Sequence, residues 1–331
     1  MLNDKTILIT GGTGSFGHEF VETILKKYNP HKVIIYSRDE YKQYLMQKMF
    51  SYHKVDNLRF FLGDVRDPTR LYRAFEGVNY VIHAAALKQV PALEYNPTEA
   101  VKTNVMGANN IIDAAVDAGV EKVISLSTDK AVNPINLYGA TKLVAEKLFV
   151  AANDYAGNRV KFTSVRYGNV IGSRGSVIPL FKRLKKDGIK EFPITHLEMT
   201  RFWISLAQSV DLVLTALDQS VGGEIFIPKI PSMRLVDLAK AIDPDCIFKE
   251  IGVRPGEKIH ESLISVDEAR GVKDCDTHYV ILPQFFFRQT IHDAYNGYAA
   301  MPYDFAFTSD KNDKWLSIDE LSEIAKILKT E

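Results

Sequence analysis

Residues 6–27 constrain the chain most. Thr6-Ile-Leu-Ile-Thr10 is an uninterrupted apolar run, which suits a strand buried on both faces of a parallel sheet. Gly11-Gly-Thr-Gly-Ser-Phe-Gly17 follows directly, with glycines at 11, 14 and 17. Glycine lets backbone turn tightly and approach a pyrophosphate, and Gly17 permits close helix packing. Helix-forming sequence over 15–27 would then present its N-terminal N–H groups to an anion. A glycine-rich turn between a strand and a helix is specific where the turn alone is not. Gly11, Thr13, Gly14, Ser15, Phe16 and Gly17 are the candidate cradle of a dinucleotide.

The pattern repeats. Strands are expected at 32–36, 58–62, 80–83, 122–127 and 161–167, with helices near 69–75, 98–118 and 138–155. Alternation of this kind predicts an α/β, Rossmann-type doubly wound parallel sheet. The second strand ends in Ser37-Arg38-Asp39, with Lys42 one turn on. An NAD site wants a carboxylate for the ribose 2′-hydroxyl and an NADP site a cation for the 2′-phosphate. Ser37, Arg38 and Lys42 favour NADP. The alternative is a solvated helix start, with Asp39 on the ribose. After the third strand, Asp64 and Val65 are candidates for adenine, although Asp64 would equally cap the next helix or settle a turn. After the fourth, Ala84 and Ala85 let backbone lie along a cofactor and Lys88 reaches toward a substrate. His83 reads as a satisfied strand-end histidine and Asn104 as a buried polar tie.

The chemistry concentrates in Ser125–Lys142, SLSTDKAVNPINLYGATK. Tyr138 and Lys142 lie four residues apart and share a helix face. An ammonium near a phenol lowers its pKa from about 10, which fits Tyr138 to take a proton from an alcohol whose carbon loses hydride. Thr128, Asp129 and Lys130 stand between strand and helix, where such a sheet opens its crevice. They supply a second set of proton-transfer groups.

Composition removes other classes. Lys+Arg and Asp+Glu both number 41, so bulk charge does not recruit nucleic acid. Cys246 and Cys275 have no metal-ligand spacing, no metal is expected, and both cysteines read as structural in a reducing cytoplasm. No apolar run approaches the ~18 residues of a membrane helix, and no signal peptide is visible. After Tyr167 the sequence turns irregular. We therefore expect residues 1–168 to form a cofactor-binding domain to which later segments return. Residues 169–331 would form mainly a smaller substrate-binding domain and the tail. Arg201 and Arg254 fit a diphosphate bidentately and Glu257 fits a ribose, against the bland reading of surface ion pairs. The phenylalanines of Pro283–Arg288 suit a core or subunit contact, and a last helix is expected near 317–329.

The motifs TGGTGSFG, YSRDEYKQ, GDVRD, HAAALKQVP, EYNPTEAVKTN, STDKAVNPINLYGATK, VRYGNVIGSRGSVIP, MTRFW, GGEIFIPKIPSM and RPGEK together resemble the extended short-chain dehydrogenase/reductase superfamily. Within it they resemble the UDP-N-acetylglucosamine 4,6-dehydratases that invert C5 in pseudaminic-acid synthesis. The likeness weakens after about residue 265. At Gln89 flagellar relatives often carry histidine and capsule-type relatives glutamine, which leaves the branch open. Some capsule-type members lack the tyrosine that this chain keeps.

The resemblance implies a bound, recycled NADP and UDP-N-acetylglucosamine as substrate. It carries the 2′-phosphate to Ser37, Arg38 and Lys42, and adenine to Asp64 and Val65. It carries the diphosphate to Arg201 and Arg254 and the uridine ribose to Glu257. Lys88, Asn169, Thr195, Met199 and Met233 would line the sugar-nucleotide pocket. It implies that Tyr138 with Lys142 serves oxidation at C4, that Lys130 removes the C5 proton, and that Asp129 protonates the departing C6 hydroxyl. Thr128 would orient the keto oxygen. Lys130 would need a depressed pKa, which burial beside the cationic nicotinamide would supply; the bland alternative is that Lys130 merely forms a structural ion pair with Asp129. A cytoplasmic homo-oligomer, a hexamer, is also implied. Rival readings are a retaining 4,6-dehydratase, a 4-epimerase (which needs only Tyr138 and Lys142) and a non-catalytic NADP-sensing scaffold.

Overall fold

A computed structural model describes residues 1–51, 56–157, 159–172, 177–284 and 289–327. Six parallel strands, β1 (Thr6–Thr10), β2 (Lys32–Ser37), β3 (Leu58–Leu62), β4 (Tyr80–His83), β5 (Lys122–Leu126) and β6 (Lys161–Val165), run in the spatial order β3-β2-β1-β4-β5-β6. That order reverses at β1, where an open α/β sheet places its crevice. Strand Ile225–Pro228 continues the sheet in parallel beside β6. His278–Ile281, Val272–Cys275 and Ala299–Ala300 extend it antiparallel to ten strands among the described residues.

The apolar runs are continuous because both faces are covered. Ile7, Ile9, Val33, Ile35 and Ile82 pack on Phe20 and Ile24 of helix Ser15–Lys27 and on Val210 and Leu217 of helix Leu206–Gln219. Leu8, Ile34, Val81 and Val123 face Leu71, Ile111, Ala115 and Phe149 on the other side. Each fully buried aliphatic side chain contributes ~1.5–3 kcal/mol.

A third apolar cluster gathers Phe181, Phe192, Trp203, Leu238 and Leu321. It packs under short strands, Asn169–Val170, Thr200–Ile204 and Ser232–Arg234 in one sheet and Glu191–Ile194 with Ile247–Glu250 in another. The last helix, Ile318–Ile327, docks here, starting where Ser317 and Glu320 cap each other. Its expected end at 329 lies outside the described residues, as do Phe285–Arg288 of the aromatic segment.

One helix differs from expectation. The stretch foreseen at 98–118 comprises Pro97–Ala100, a π-helical Val101–Met106 and Gly107–Ala118. The wider turn sits where a Cβ on Gly107 would lie 2.9 Å from Val65 Cγ2. It lets Asn104 tie both backbone groups of Leu87 and the Thr141 hydroxyl, at 2.8–3.0 Å. The loop after β4 is thereby fixed to the helix that carries Tyr138.

Candidate active site

A cavity of about 1130 Å³ runs along the carboxyl ends of β1–β5 and under the third cluster. Gly11, Thr13, Gly14, Ser15 and Phe16 line one end. Gly11 takes φ +65°, and a Cβ there would lie 2.9 Å from Ala85 Cα, so the turn closes only with glycine. No side chain caps the helix after Gly14. Its first N–H groups therefore face the cavity end as an anion site. Gly17 does not line the cavity. A Cβ on it would sit 2.1 Å from the Gly12 carbonyl oxygen, so its part is the close packing of helix on turn. These features fit a dinucleotide.

Ser37, Arg38, Asp39 and Lys42 line the next stretch. The buried Ser37 hydroxyl accepts from Gln43 Nε2 at 3.0 Å. Lys42 Nζ lies 2.9 Å from the Asp39 carboxylate and, with its backbone N–H, holds that carboxyl below its ordinary range. Two cations thus flank one paired carboxylate. Asp64 settles a turn: it accepts the Arg66 N–H at 3.0 Å and the Arg66 guanidinium at 2.7 and 2.9 Å. Burial raises its carboxyl, and the Arg66 bonds and the nearby Arg38 bring it below the ordinary value. Asp67, not Asp64, caps the helix Pro68–Phe75. Val65 packs against Gly107 and lines the cavity with Ala84, Ala85, Lys88 and Gln89. His83 is buried against the Thr10 hydroxyl at 2.8 Å, and desolvation pushes it down to about 3, so it is a neutral structural histidine.

The central stretch folds as a 3-10 turn, Asp129–Ala131, that leads into helix Leu137–Tyr155. Asn136 caps this helix on the Gly139 N–H at 2.8 Å. A Cβ on Gly139 would lie 2.0 Å from the Lys130 carbonyl oxygen, so only glycine lets helix and turn touch here. That contact brings Thr128, Lys130, Tyr138 and Lys142 to one cavity wall. Asp129 lies behind it, fully buried, its Oδ1 accepting from Thr128 at 2.9 Å and from Lys130 Nζ at 3.0 Å. Its Oδ2 is buried without a partner among the described residues.

The electrostatics depart from the sequence expectation twice. Burial raises the Tyr138 phenol above its ordinary value, and the charge that opposes this is Lys130, helped by a bond from Thr128. Lys142, foreseen as that charge, is itself desolvated and pushed down to about 8. Lys130, expected to be depressed, is raised: burial lowers it, but Asp129 and Glu261, at 3.0 and 3.5 Å, outweigh burial and hold the ammonium.

Across the cavity stand Thr195, Met199, Arg201 and Met233, all buried. The Thr195 hydroxyl lies 3.0 Å from Met199 Sδ. Asn169, Arg254 and Glu257 also line the cavity, and Asn169 and Arg254 are exposed. Arg201 is no surface ion pair: its Nη1 donates to the Thr200 and Ile259 carbonyls at 2.7 and 2.9 Å, and its Nη2 lies 3.3 Å from Glu257. Glu257 Oε2 is buried without a partner among the described residues. Sequence reasoning brought these together but missed Glu261, four residues past Glu257. A second acidic residue beyond RPGEK was the available signal. No cluster of potential metal ligands occurs among the described residues, and no described helix is long and apolar enough to cross a membrane.

The polysaccharide biosynthesis protein family matches residues 7–283. The chain is 52% identical over 98% of both sequences to the UDP-N-acetylglucosamine 4,6-dehydratase (inverting) of Campylobacter jejuni. It is 47% identical to a UDP-glucose 4-epimerase of Rickettsia rickettsii, over 85% of this chain and 84% of that one. The crystal structure of Pen from Bacillus thuringiensis superposes with a TM-score of 0.88 at 38% identity, covering 98% of each chain. The chain thus belongs to the polysaccharide biosynthesis protein family, and within it to the group that holds the inverting UDP-N-acetylglucosamine 4,6-dehydratase of Campylobacter jejuni.

Proposed function

We propose that the chain removes water from UDP-N-acetylglucosamine and inverts C5, giving UDP-2-acetamido-2,6-dideoxy-β-L-arabino-hexos-4-ulose with no net redox change. One observation carries this reading over a 4-epimerase. Beside Tyr138 and Lys142, which suffice for epimerisation, stands a second hydrogen-bonded acid–base pair, Lys130 and Asp129, at 3.0 Å.

NADP is the cofactor that the site suits. Gly11–Phe16 would cradle its pyrophosphate, Ser37, Arg38 and Lys42 its 2′-phosphate, and Asp64 and Val65 its adenine. Ala84, Ala85 and Lys88 would lie along it, and Lys142 would hold the nicotinamide ribose. When bound, it supplies the acceptor for the C4 hydrogen and the donor that reduces C6. Tyr138, assisted by Lys142, takes the O4 proton, and Thr128 orients the resulting keto oxygen. A proton passed along the Lys130–Asp129 bond leaves a neutral amine and a carboxylic acid. Lys130 then takes the C5 proton, Asp129 protonates the C6 hydroxyl, the C6–O bond breaks and a C5–C6 double bond forms. Elimination returns the pair to ammonium and carboxylate, and Asp129 and Glu261 favour the Lys130 ammonium against its burial. Reprotonation of C5 from the opposite face completes inversion.

Arg201 and Arg254 take the diphosphate, Glu257 a ribose hydroxyl through its free Oε2, and Lys88, Asn169, Thr195, Met199 and Met233 the sugar-nucleotide. This divides the protein into a cofactor unit, 1–168 with returning segments, and a smaller substrate unit drawn mainly from 169–331. The same reading makes it a cytoplasmic homo-oligomer, a hexamer, acting first in pseudaminic-acid synthesis.

The test is incubation of UDP-N-acetylglucosamine in D2O without added cofactor, followed by NMR. A C5-deuterated, C5-inverted 6-deoxy-4-ketose is expected. Retained configuration at C5 makes the enzyme a retaining dehydratase, and a C4 epimer with C5 hydrogen intact makes it an epimerase. Lys130→Ala should still reduce bound cofactor in part while losing elimination and C5 exchange.

A further inference from the structure

Glu261 lies outside every role assigned above, yet it is only 2% exposed and stands at the centre of the charged groups behind the cavity wall. Its Oε1 is 3.5 Å from Lys130 Nζ and 3.9 Å from Arg201 Nε. Its Oε2 is buried with no partner among the described residues. A buried carboxylate is costly unless paired, so its partners must be fixed and close. The backbone fixes it. The Glu261 N–H donates to Ser309 Oγ at 2.9 Å, and the Ser309 N–H donates to the Glu261 carbonyl at 2.8 Å. Ser309 is fully buried and its hydroxyl also meets Thr200 Oγ1 at 2.7 Å, the neighbour of Arg201 in the chain. Thr200 Oγ1 bonds His260 Nδ1 at 2.8 Å in turn. A residue of the tail thus locks the one carboxylate that, among the described residues, pairs with both the elimination lysine and the buried arginine.

We propose that Glu261 is the positioning residue of the elimination pair: its carboxylate holds the Lys130 ammonium against Asp129 and ties that pair to Arg201. The proposal rests on the dehydratase reading and adds to it. The groups facing Lys130 are Asp129 on its own turn, Glu261 and Lys258 on the 257–261 segment, Arg201 on Thr200–Ile204 and Tyr138 on the helix Leu137–Tyr155. Lys258 is tethered to the Val132 carbonyl at 2.5 Å, and Glu257 lies 3.3 Å from Arg201. Asp129, Glu257 and Glu261 balance Lys130, Arg201 and Lys258. Removing Glu261 leaves this group one positive charge in excess, next to Lys130. Loss of the Lys130 proton to solvent, which leaves an amine that exchanges the C5 hydrogen without needing the Asp129 acid, then occurs at lower pH.

The experiment is the pH profile of C5 deuterium exchange from UDP-N-acetylglucosamine in D2O, with cofactor reduction at C4 followed by ultraviolet absorbance. Glu261→Gln should move the limb on which exchange rises with pH downward by about 1–3 pH units, with the C4 profile unmoved. Glu261→Asp keeps the charge but draws it back by one methylene, and should move the limb less in the same direction. An unmoved limb in Glu261→Gln, or an equal shift in the C4 profile, overturns the proposal. Should Glu261→Gln not fold, Glu261→Asp decides by the same criterion. Wild-type protein that exchanges C5 hydrogen at no pH overturns the dehydratase reading itself, an outcome separate from either variant's.

Discussion

Lys142→Met should stabilise this protein while silencing it. Lys142 is 4% exposed, and burial pushes its ammonium from 10.5 down to about 8. A lysine depressed in the folded state is a stability cost. It is full below the folded pKa, where both states carry the proton, and vanishes above the unfolded pKa, where neither does. The shift corresponds to about 3 kcal/mol at pH 7, about 2 at pH 9 and below about 1 at pH 10. Glu146, whose charge favours the ammonium, would not be stranded, because Arg166 already holds it at 2.7 and 3.1 Å. Methionine fills similar space without the charge. With an unfolding entropy of about 2.1 cal/mol/K per residue over 331 residues, the melting midpoint should rise by about 4 °C at pH 7. The assay is paired thermal and urea denaturation of both proteins, stripped of nucleotide, between pH 7 and 10. A stability difference that does not shrink with pH, or a destabilised variant, would refute the reasoning.

Two further outcomes follow from the site. Arg38→Ala should weaken NADP far more than NAD in direct binding titrations, because the proposed site gives the 2′-phosphate to Arg38; equal losses would sink that assignment. Tyr138→Phe removes only the proton-transfer group, so turnover should fall by about 10²–10⁴-fold with fold and bound nucleotide kept. Near-normal turnover would show that another group serves O4.

The architecture was legible because its signals are local. A continuous apolar run, three glycines and a helix specify β1 and its turn, and β2 to β6 repeat the theme in register. The members of the site were legible for the same reason, and most of them reach one cavity. Their electrostatics were not. The four-residue spacing of Tyr138 and Lys142 states that they share a face, but not that both are desolvated. Burial is a property of the whole packing, and it reversed the expected direction for Tyr138. Lys130 reversed for the opposite reason: a carboxylate from residue 261 outweighs its desolvation together with Asp129. The clamp that puts Glu261 there comes from Ser309, 48 residues further along, in a region where no motif was visible.

The two chemistries that the family's names span differ here by one short element. On the proposed reading, Tyr138 and Lys142 on a helix would be enough to oxidise and re-reduce C4. Elimination needs, in addition, a base for C5 and an acid for the C6 oxygen, side by side and of opposite charge demand. On the proposed reading the turn Asp129–Ala131 would provide both in consecutive residues. Consecutive residues rarely point together, and here the turn achieves it because Asp129 is driven inward and Lys130 folds back onto it at 3.0 Å. Gly139 sets the distance of that turn from the tyrosine, since any Cβ would strike the Lys130 carbonyl oxygen. Glu261 sets the charge on the lysine from behind. If the proposed roles hold, the specificity for dehydration would rest on three contacts on one turn, from within the turn, from the following helix and from a segment over 100 residues on.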